Sequence, residues 1–239
     1  MSMERSELDI FEDIAKRRRA VRHFLPDPVP EEVLMRLLDI AHWAPSGYNL
    51  QPTHYVVARS PEVREELYHA ALKQSHIREA PIVVAFTGDR RVYENNFEAV
   101  LKSDREAGAI NDAYEKKLRK FVPLGFSRAP LGLGGIAKTL FGIPASRIFG
   151  KVPTVPAAEK RLWLSRQVAL SAMQFMLAAT AANLATVPME GFGEVAVKRA
   201  LHIPRSHIVV MLVALGHPAQ GKLIKTRLPL ERSLHRERF

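Results

Sequence analysis

Residues 168–189 read VALSAMQFMLAATAANLATVPM, a run of 22 positions without a single charge. About twenty apolar residues suffice for a helix to cross a bilayer, so this segment decides whether the chain belongs in a membrane or around a packed core. Ser171, Gln174, Thr180, Asn183 and Thr186 interrupt the run, alanine is its commonest residue, and Pro188 stands near its end. Small side chains of this kind suit a helix wedged between other elements rather than one facing lipid. The segment is therefore read as a buried core helix.

Outward from it, the N-terminal half shows alternating helical and extended patterns. Ser6 followed by Asp9 makes a helix start, and Leu8, Phe11, Ile14 and Ala15 recur at helical spacing until the basic cluster Lys16 to Arg19. A second helix opens at Pro30, carries Val33, Leu34, Leu37, Leu38 and Ala41 on one face, and has to stop before Pro45. His54 to Ala58 and Pro81 to Thr87 are short β-branched runs that read as strands, with a helical segment from Pro61 to Gln74 between them, and Ile208 to Leu215 is a third strand. Asn95 to Lys120 is helical, and a long helix begins near Glu159. Continuous apolar strands are usually covered on both faces by helices, so the fold class is α+β, an α/β sandwich.

A chain of 239 residues with 47% hydrophobic content is long enough for one sizeable core, and residues 1–239 are read as a single domain. Cysteine is absent, which excludes disulfides, thiolate metal sites and cysteine nucleophiles and leaves redox chemistry to a borrowed cofactor. The N-terminus is charged throughout and lacks the apolar stretch of a secretory signal, which together with the missing cysteine points to the cytoplasm.

Phe121 to Ala158 breaks the pattern, with five prolines and six glycines among 38 residues, and reads as an insertion or lid. It overlaps the chain's main concentration of charge. Residues 116–151 carry eight basic side chains and no acidic one, against a net charge of +10 for the whole protein. Nucleic-acid binding is set aside because none of its recognisable modules is present. The apolar residues interspersed there, among them Leu118, Val122 and Phe126, would suit weak contact with an anionic membrane surface, but a lid or dimer-wrapping arm that buries them on the partner is the preferred reading.

Four short constellations could carry chemistry. Arg18-Arg19-Ala20-Val21-Arg22-His23-Phe24 follows the first helix, and its three guanidinium groups could hold a phosphate through charge-assisted hydrogen bonds. Pro45-Ser46-Gly47-Tyr48-Asn49-Leu50-Gln51-Pro52 combines small residues that permit close backbone approach with the neutral hydrogen-bonding side chains of Ser46, Asn49 and Gln51. Pro188-Met189-Glu190-Gly191-Phe192 places a glycine where a backbone N–H could meet a ligand. Lys225-Thr226-Arg227-Leu228-Pro229 supplies a second pair of cations. Each one alone has a bland reading as a solvated basic face, a turn, a surface carboxylate or a basic tail.

Taken in this order, the four pieces resemble the flavin-binding pattern of the nitroreductase family: an RRSxRxF-like opening, PSSxNxQP, PxEGF and a late KxRLP. The resemblance covers roughly Asp13 to Phe86 and Leu162 to Pro229. It implies a central, mostly antiparallel sheet flanked by helices, an intertwined homodimer with two flavins at its interface, and FMN as cofactor with NADH or NADPH as electron donor. It further implies that Arg18, Arg19 and Arg22, with Ala20 between them, grip the flavin phosphate and the polar edge of the ring, completed by Lys225 and Arg227. Pro45, Ser46 and Gly47 would come from the other subunit, with Asn49 and Gln51 supporting their loop. Glu190 and Gly191 would face the reactive edge of the ring, with a backbone donor near N5, and Pro188 and Met189 before them would also bind the cofactor. Two positions depart from the pattern: Ala20 stands where serine is usual, and Asn183-Leu184 where glycine-leucine is frequent.

The resemblance implies no catalytic side chain, since the cofactor carries the chemistry. The acceptor would be a small molecule such as a nitroaromatic or a quinone, reached by a ping-pong mechanism. A reductive dehalogenase of iodotyrosine type and dimethylbenzimidazole synthase are same-fold alternatives. The run Gly132-Leu133-Gly134-Gly135-Ile136-Ala137 matches a dinucleotide fingerprint but lies among prolines rather than between a strand and a helix. No HExxH, no metal-ligand spacing on one helix face and no GxSxG elbow is present, so no metal site or serine nucleophile is expected.

Overall fold

A computed structural model describes residues 5–126, 160–219 and 224–239. Its centre is an antiparallel sheet of four strands in the order β1-β2-β4-β3, formed by Thr53–Ala58, Ile82–Asp89, Ala185–Met189 (β3) and His207–Gly216 (β4). Every residue of β2 is buried, as a central strand covered on both faces must be. The helices are α1 (Glu7–Arg17), α2 (Glu31–His42), α3 (Pro61–Ala70), α4 (His76–Glu79), α5 (Val92–Glu106), α6 (Asp112–Phe126), α7 (Lys160–Ala181) and α8 (Glu194–Ala200).

Alternation along the strands sorts the core into two layers. Val83, Ala85, Leu212 and Ala214 meet Leu67, Ile77 and Val197 of α3, α4 and α8. Val84, Phe86, Val213 and Leu215 face the other way, onto Leu34, Leu37 and Ala41 of α2 and Val168, Ala172, Phe175 and Ala179 of α7. A third cluster joins Leu50 to Val92, Phe97 and Leu101 of α5 and Leu118, Val122 and Phe126 of α6.

The uncharged run is a core helix only as far as Ala181. Asn183 adopts a left-handed φ of 58°, and its N–H and that of Leu184 return to the carbonyls of Thr180 and Ala179, a Schellman termination. Ala185–Met189 is then a strand, whose β-branched Thr186 and Val187 suit extended backbone. Pro188 is tolerated because β3 lies at the sheet edge. No helix among the described residues is long and apolar enough to cross a membrane.

Two further expectations need correction. The segment after Pro61 is helical only to Ala70, because Leu72 and Lys73 take left-handed conformations before the short α4. The region from Asn95 to Lys120 is two helices, which begin at Val92 and are separated around Gly108 at φ 68°. The second continues to Phe126, so the opening of the expected lid is regular helix. Leu118, Val122 and Phe126 are spent in the third core cluster and are withdrawn from any bilayer surface. Residues 127–159, which hold the rest of the expected lid and the Gly132–Ala137 run, lie outside the described residues.

Candidate active site

The basic run leaves the end of α1 with its members already divided. Arg17 is paired, 3.1 Å from the Asp13 carboxylate and donating to Asn183 Oδ1 at 3.0 Å. Ala20 then forms a parallel bridge with Thr186 of β3, and the Val21 N–H donates to the Thr186 carbonyl at 3.1 Å. Between these anchors Arg18 is half-buried, and its Nε, like the Thr186 hydroxyl oxygen, is buried without a hydrogen-bond partner among the described residues.

The C-terminal segment returns to the same place. Lys225 Nζ donates to the carbonyls of Ala15 and Arg18 at 3.2 and 3.1 Å, capping the negative end of α1. Burial lowers the pKa of Arg18, and Arg227 and Arg19 lower it further. Burial likewise lowers that of Lys225, followed by Arg18, Arg227 and Arg19. Four cations thus crowd together, and among the described residues every neighbouring charge acting on Arg18 and Lys225 is positive. A partly buried cation without a counter-charge is costly. A phosphate, with several acceptor oxygens, satisfies both the excess charge and the orphaned Nε. Arg22 is exposed, and its charge is felt at His76, whose pKa is lowered first by burial and then by Arg22.

Beyond β3, Pro188 is half-buried, Met189 is buried, and Glu190 and Gly191 emerge into solvent. Gln74 Nε2 donates to the Gly191 carbonyl at 2.9 Å and to that of Ala71 at 3.1 Å, tying this turn to the irregular end of α3. The Gly191 N–H makes no hydrogen bond among the described residues. Among the described residues a Cβ on Gly191 would meet only Gln74 Nε2 and Leu72 Cδ1, both at 3.8 Å, so their packing does not demand glycine there.

The loop from Pro45 to Pro52 is held in a demanding conformation. Tyr48, Asn49 and Gln51 all take left-handed φ, 56°, 53° and 51°, which costs L-residues roughly 1 kcal/mol each. Hydrogen bonds hold it: Gln51 N–H to Ser46 Oγ at 2.9 Å, Gly47 N–H to Gln167 Oε1 at 2.8 Å, and Asn49 Nδ2 to Asp104 Oδ1 at 3.1 Å. Gln51 Nε2 donates to Asn49 Oδ1 at 3.2 Å, and Asn96 Nδ2 to the Leu50 carbonyl at 2.9 Å. A Cβ on Gly47 would come within 3.2 Å of the Trp163 ring. Pro45 is exposed at the edge of an apolar groove of about 520 Å³ that Phe11, Ile14, Ile40, Leu170 and Met173 also line.

Within one chain, therefore, Arg18, Arg19, Lys225 and Arg227 are brought together and the 45–52 loop is kept away from them. The loop is anchored at Gln167 and the cations gather beyond Ala181, fourteen residues further along α7, which corresponds to about 21 Å of helix. Sequence reasoning missed Gln74, Asn96, Asp104 and Gln167. Their hydrogen bonds cross long sequence separations, and no local pattern marks them.

The fold and this arrangement define a class. The chain matches the Nitroreductase family over residues 15–217. It is 31% identical over 218 residues to a protein named NADH dehydrogenase from Thermus thermophilus, covering 91% of each chain. It is 30% identical over 221 residues to YodC of Bacillus subtilis, a candidate NAD(P)H nitroreductase, covering 92% of this chain and 95% of that one. Among solved structures, a candidate nitroreductase in complex with FMN from Exiguobacterium sibiricum superposes with a TM-score of 0.73 at 22% identity, covering 99% of this chain and 100% of that one. The chain belongs to the nitroreductase family, a family of oxidoreductases.

Proposed function

We propose that this protein binds FMN and passes electrons from NADH or NADPH to a small acceptor such as a nitroaromatic or a quinone. The observation that carries the reading is the Nε of Arg18, buried without a hydrogen-bond partner among the described residues, within a cluster of four cations. Those residues fit the terminal phosphate of FMN, which Arg18, Arg19, Lys225 and Arg227 would hold. The relatives support the electron donor, since two of them are named for NADH or NAD(P)H.

When bound, FMN would supply the redox chemistry, a two-electron exchange between the nicotinamide and the acceptor. The chain's own contribution is placement and charge. The Gly191 N–H has no partner among the described residues and is the backbone donor assigned to the reactive edge. Gln74 fixes that peptide through the Gly191 carbonyl. Arg22 stands ready to favour negative charge at the ring's polar edge, an electrostatic preorganisation that needs no acid or base. Donor and acceptor would use the same open face in turn, which is the basis of a ping-pong mechanism.

The site takes two copies of the chain. One copy keeps its Pro45–Pro52 loop about 21 Å of helix away from its own cation cluster. α1 has no buried residue, Phe11 and Ile40 are exposed on the walls of the groove at Pro45, and Leu8 of α1 and Trp43 at the end of α2 are exposed as well. A second copy of the chain covers this apolar surface and delivers its loop, with Pro45, Ser46 and Gly47, to the first copy's flavin.

The test is an absorbance spectrum of the purified protein between about 300 and 550 nm, with NADH and then NADPH added anaerobically. Flavin bands that bleach with either nucleotide, and parallel double-reciprocal plots in turnover, are the expected result. A colourless protein that takes up no added FMN contradicts the reading.

A further inference from the structure

Away from the cation cluster, three strands bring together side chains that no linear pattern connects. His54 lies in β1, Asp89 ends β2 and His207 begins β4, and one candidate ligand atom from each lies within 4.8 Å of the other two. His54 is cross-strand partner to Thr87, and Asp89 to His207, so the three occupy adjacent register positions. Two imidazoles and a carboxylate are the ligand set of zinc-type sites that leave one position for water.

A defect in β4 creates the grouping. Leu212 and Ala214 point toward the α3 and α8 layer, and strict alternation would send Val209 and His207 the opposite way. The register shifts between Phe86 and Thr87, inserting one extra residue in β4, and Val209 consequently packs in the same layer as Leu212. Two residues on, His207 shares that face with Asp89 and His54. Bulges that re-aim a side chain in this manner are common beside functional sites.

The surroundings already orient the ligands. Asp89 is buried, and its oxygens accept from the Arg91 N–H at 2.8 Å and Asn95 Nδ2 at 2.6 Å, which still leaves lone pairs for an ion. Ser206 Oγ lies 3.1 Å from His207 Nδ1, and Nε2 makes no hydrogen bond among the described residues. Such outer contacts fix ring orientation in metal sites. The His54 and His207 rings meet edge to face, with centroids 4.7 Å apart. Lys198, the nearby cation felt at His207, is paired with Glu194 at 2.9 Å. Ligands on one zinc ion stand about 3.3 Å apart, so ion binding requires the three groups to close from their present separation, with the exposed His54 the least confined of them.

We propose that His54, Asp89 and His207 form a binding site for a divalent transition-metal ion of zinc type. The ion would cross-link β1, β2 and β4 next to Pro52, whose carbonyl accepts from the Asp89 N–H at 2.9 Å. The site lies apart from the cations assigned to the flavin phosphate, and its test does not depend on flavin chemistry.

Full-length protein freed of metal by chelation is titrated with Co2+, followed by its visible absorption, and with Zn2+ by calorimetry. The expected result is one ion per chain, displacement of Co2+ by Zn2+, and at least roughly tenfold weaker Zn2+ binding in His54→Ala and in His207→Ala. His202→Ala, which removes an exposed histidine outside the group, is expected to bind as the unmodified protein does. His54 is exposed, so its replacement leaves the core intact even if His207→Ala fails to fold. Absence of saturable binding of both ions, or unchanged affinity in His54→Ala, overturns the proposal.

Discussion

Arg17 donates to the side-chain oxygen of Asn183 at 3.0 Å, joining the end of α1 to the residue that terminates α7. Asn183 holds a left-handed φ of 58°, where asparagine and glycine are the favoured residues. Asn183→Ala is expected to lower stability by about 1 to 2 kcal/mol in equilibrium denaturation. Asn183→Gly relieves the backbone while losing the Arg17 contact, and should fall within about 0.5 kcal/mol of the unmodified protein. Equal losses for the two substitutions would contradict the backbone account.

The same helix is pinned to the sheet and to α2 through Ser171. Its hydroxyl donates to the Ala41 carbonyl at 2.8 Å, so the Tyr55 hydroxyl, 2.7 Å away, must be the donor to Ser171 Oγ. Ser171→Ala strands the Tyr55 hydroxyl and is expected to cost about 1 to 2 kcal/mol, whereas Tyr55→Phe leaves the Ser171 bond in place and should cost about 1 kcal/mol or less. Urea unfolding of the two variants reads the order, and the reverse order would show that the donor assignment is wrong.

Acid sensitivity is expected from Glu194. Burial pushes its carboxyl up, but hydrogen bonds from Arg161, Lys198 and the Val209 N–H together outweigh burial and hold it at about 2. A folded pKa below the unfolded one stabilises the protein above the ordinary carboxylate range, and that contribution fades as pH falls toward 2. Discounted for partial exposure, it amounts to about 1 to 2 kcal/mol. Melting curves between pH 6 and 2 should show the unmodified protein losing more stability than Glu194→Gln, with the two converging at the acid end. Parallel curves would remove Glu194 from the account.

What was legible in the sequence and what was not divides along physical lines. β1, β2 and β4 are visible because β-branched runs bounded by turn residues signal buried strands, and their expected ends differ from the observed ones by at most two residues. β3 was hidden inside the uncharged run, where a short apolar strand after a helix carries no change of polarity to mark it. The basic and loop motifs were visible as local strings. Their separation along α7 was not, since it depends on Gln167 and Asn183, residues whose partners lie far away in sequence. The grouping of His54, Asp89 and His207 was invisible for the same reason, with the added shift of a bulge.

The central claim is that Arg18 and its neighbouring cations form a phosphate site for FMN. Its most direct test compares the affinities of FMN and riboflavin, which differ only in that phosphate, for the unmodified protein and for Arg18→Ala, by flavin fluorescence quenching. Charge-assisted hydrogen bonds contribute about 1.5 to 3 kcal/mol each. FMN is therefore expected to bind the unmodified protein at least about a hundredfold more tightly than riboflavin, and Arg18→Ala to lose at least about tenfold of that preference. Equal affinities for FMN and riboflavin in the unmodified protein, or a preference untouched by Arg18→Ala, would contradict the account.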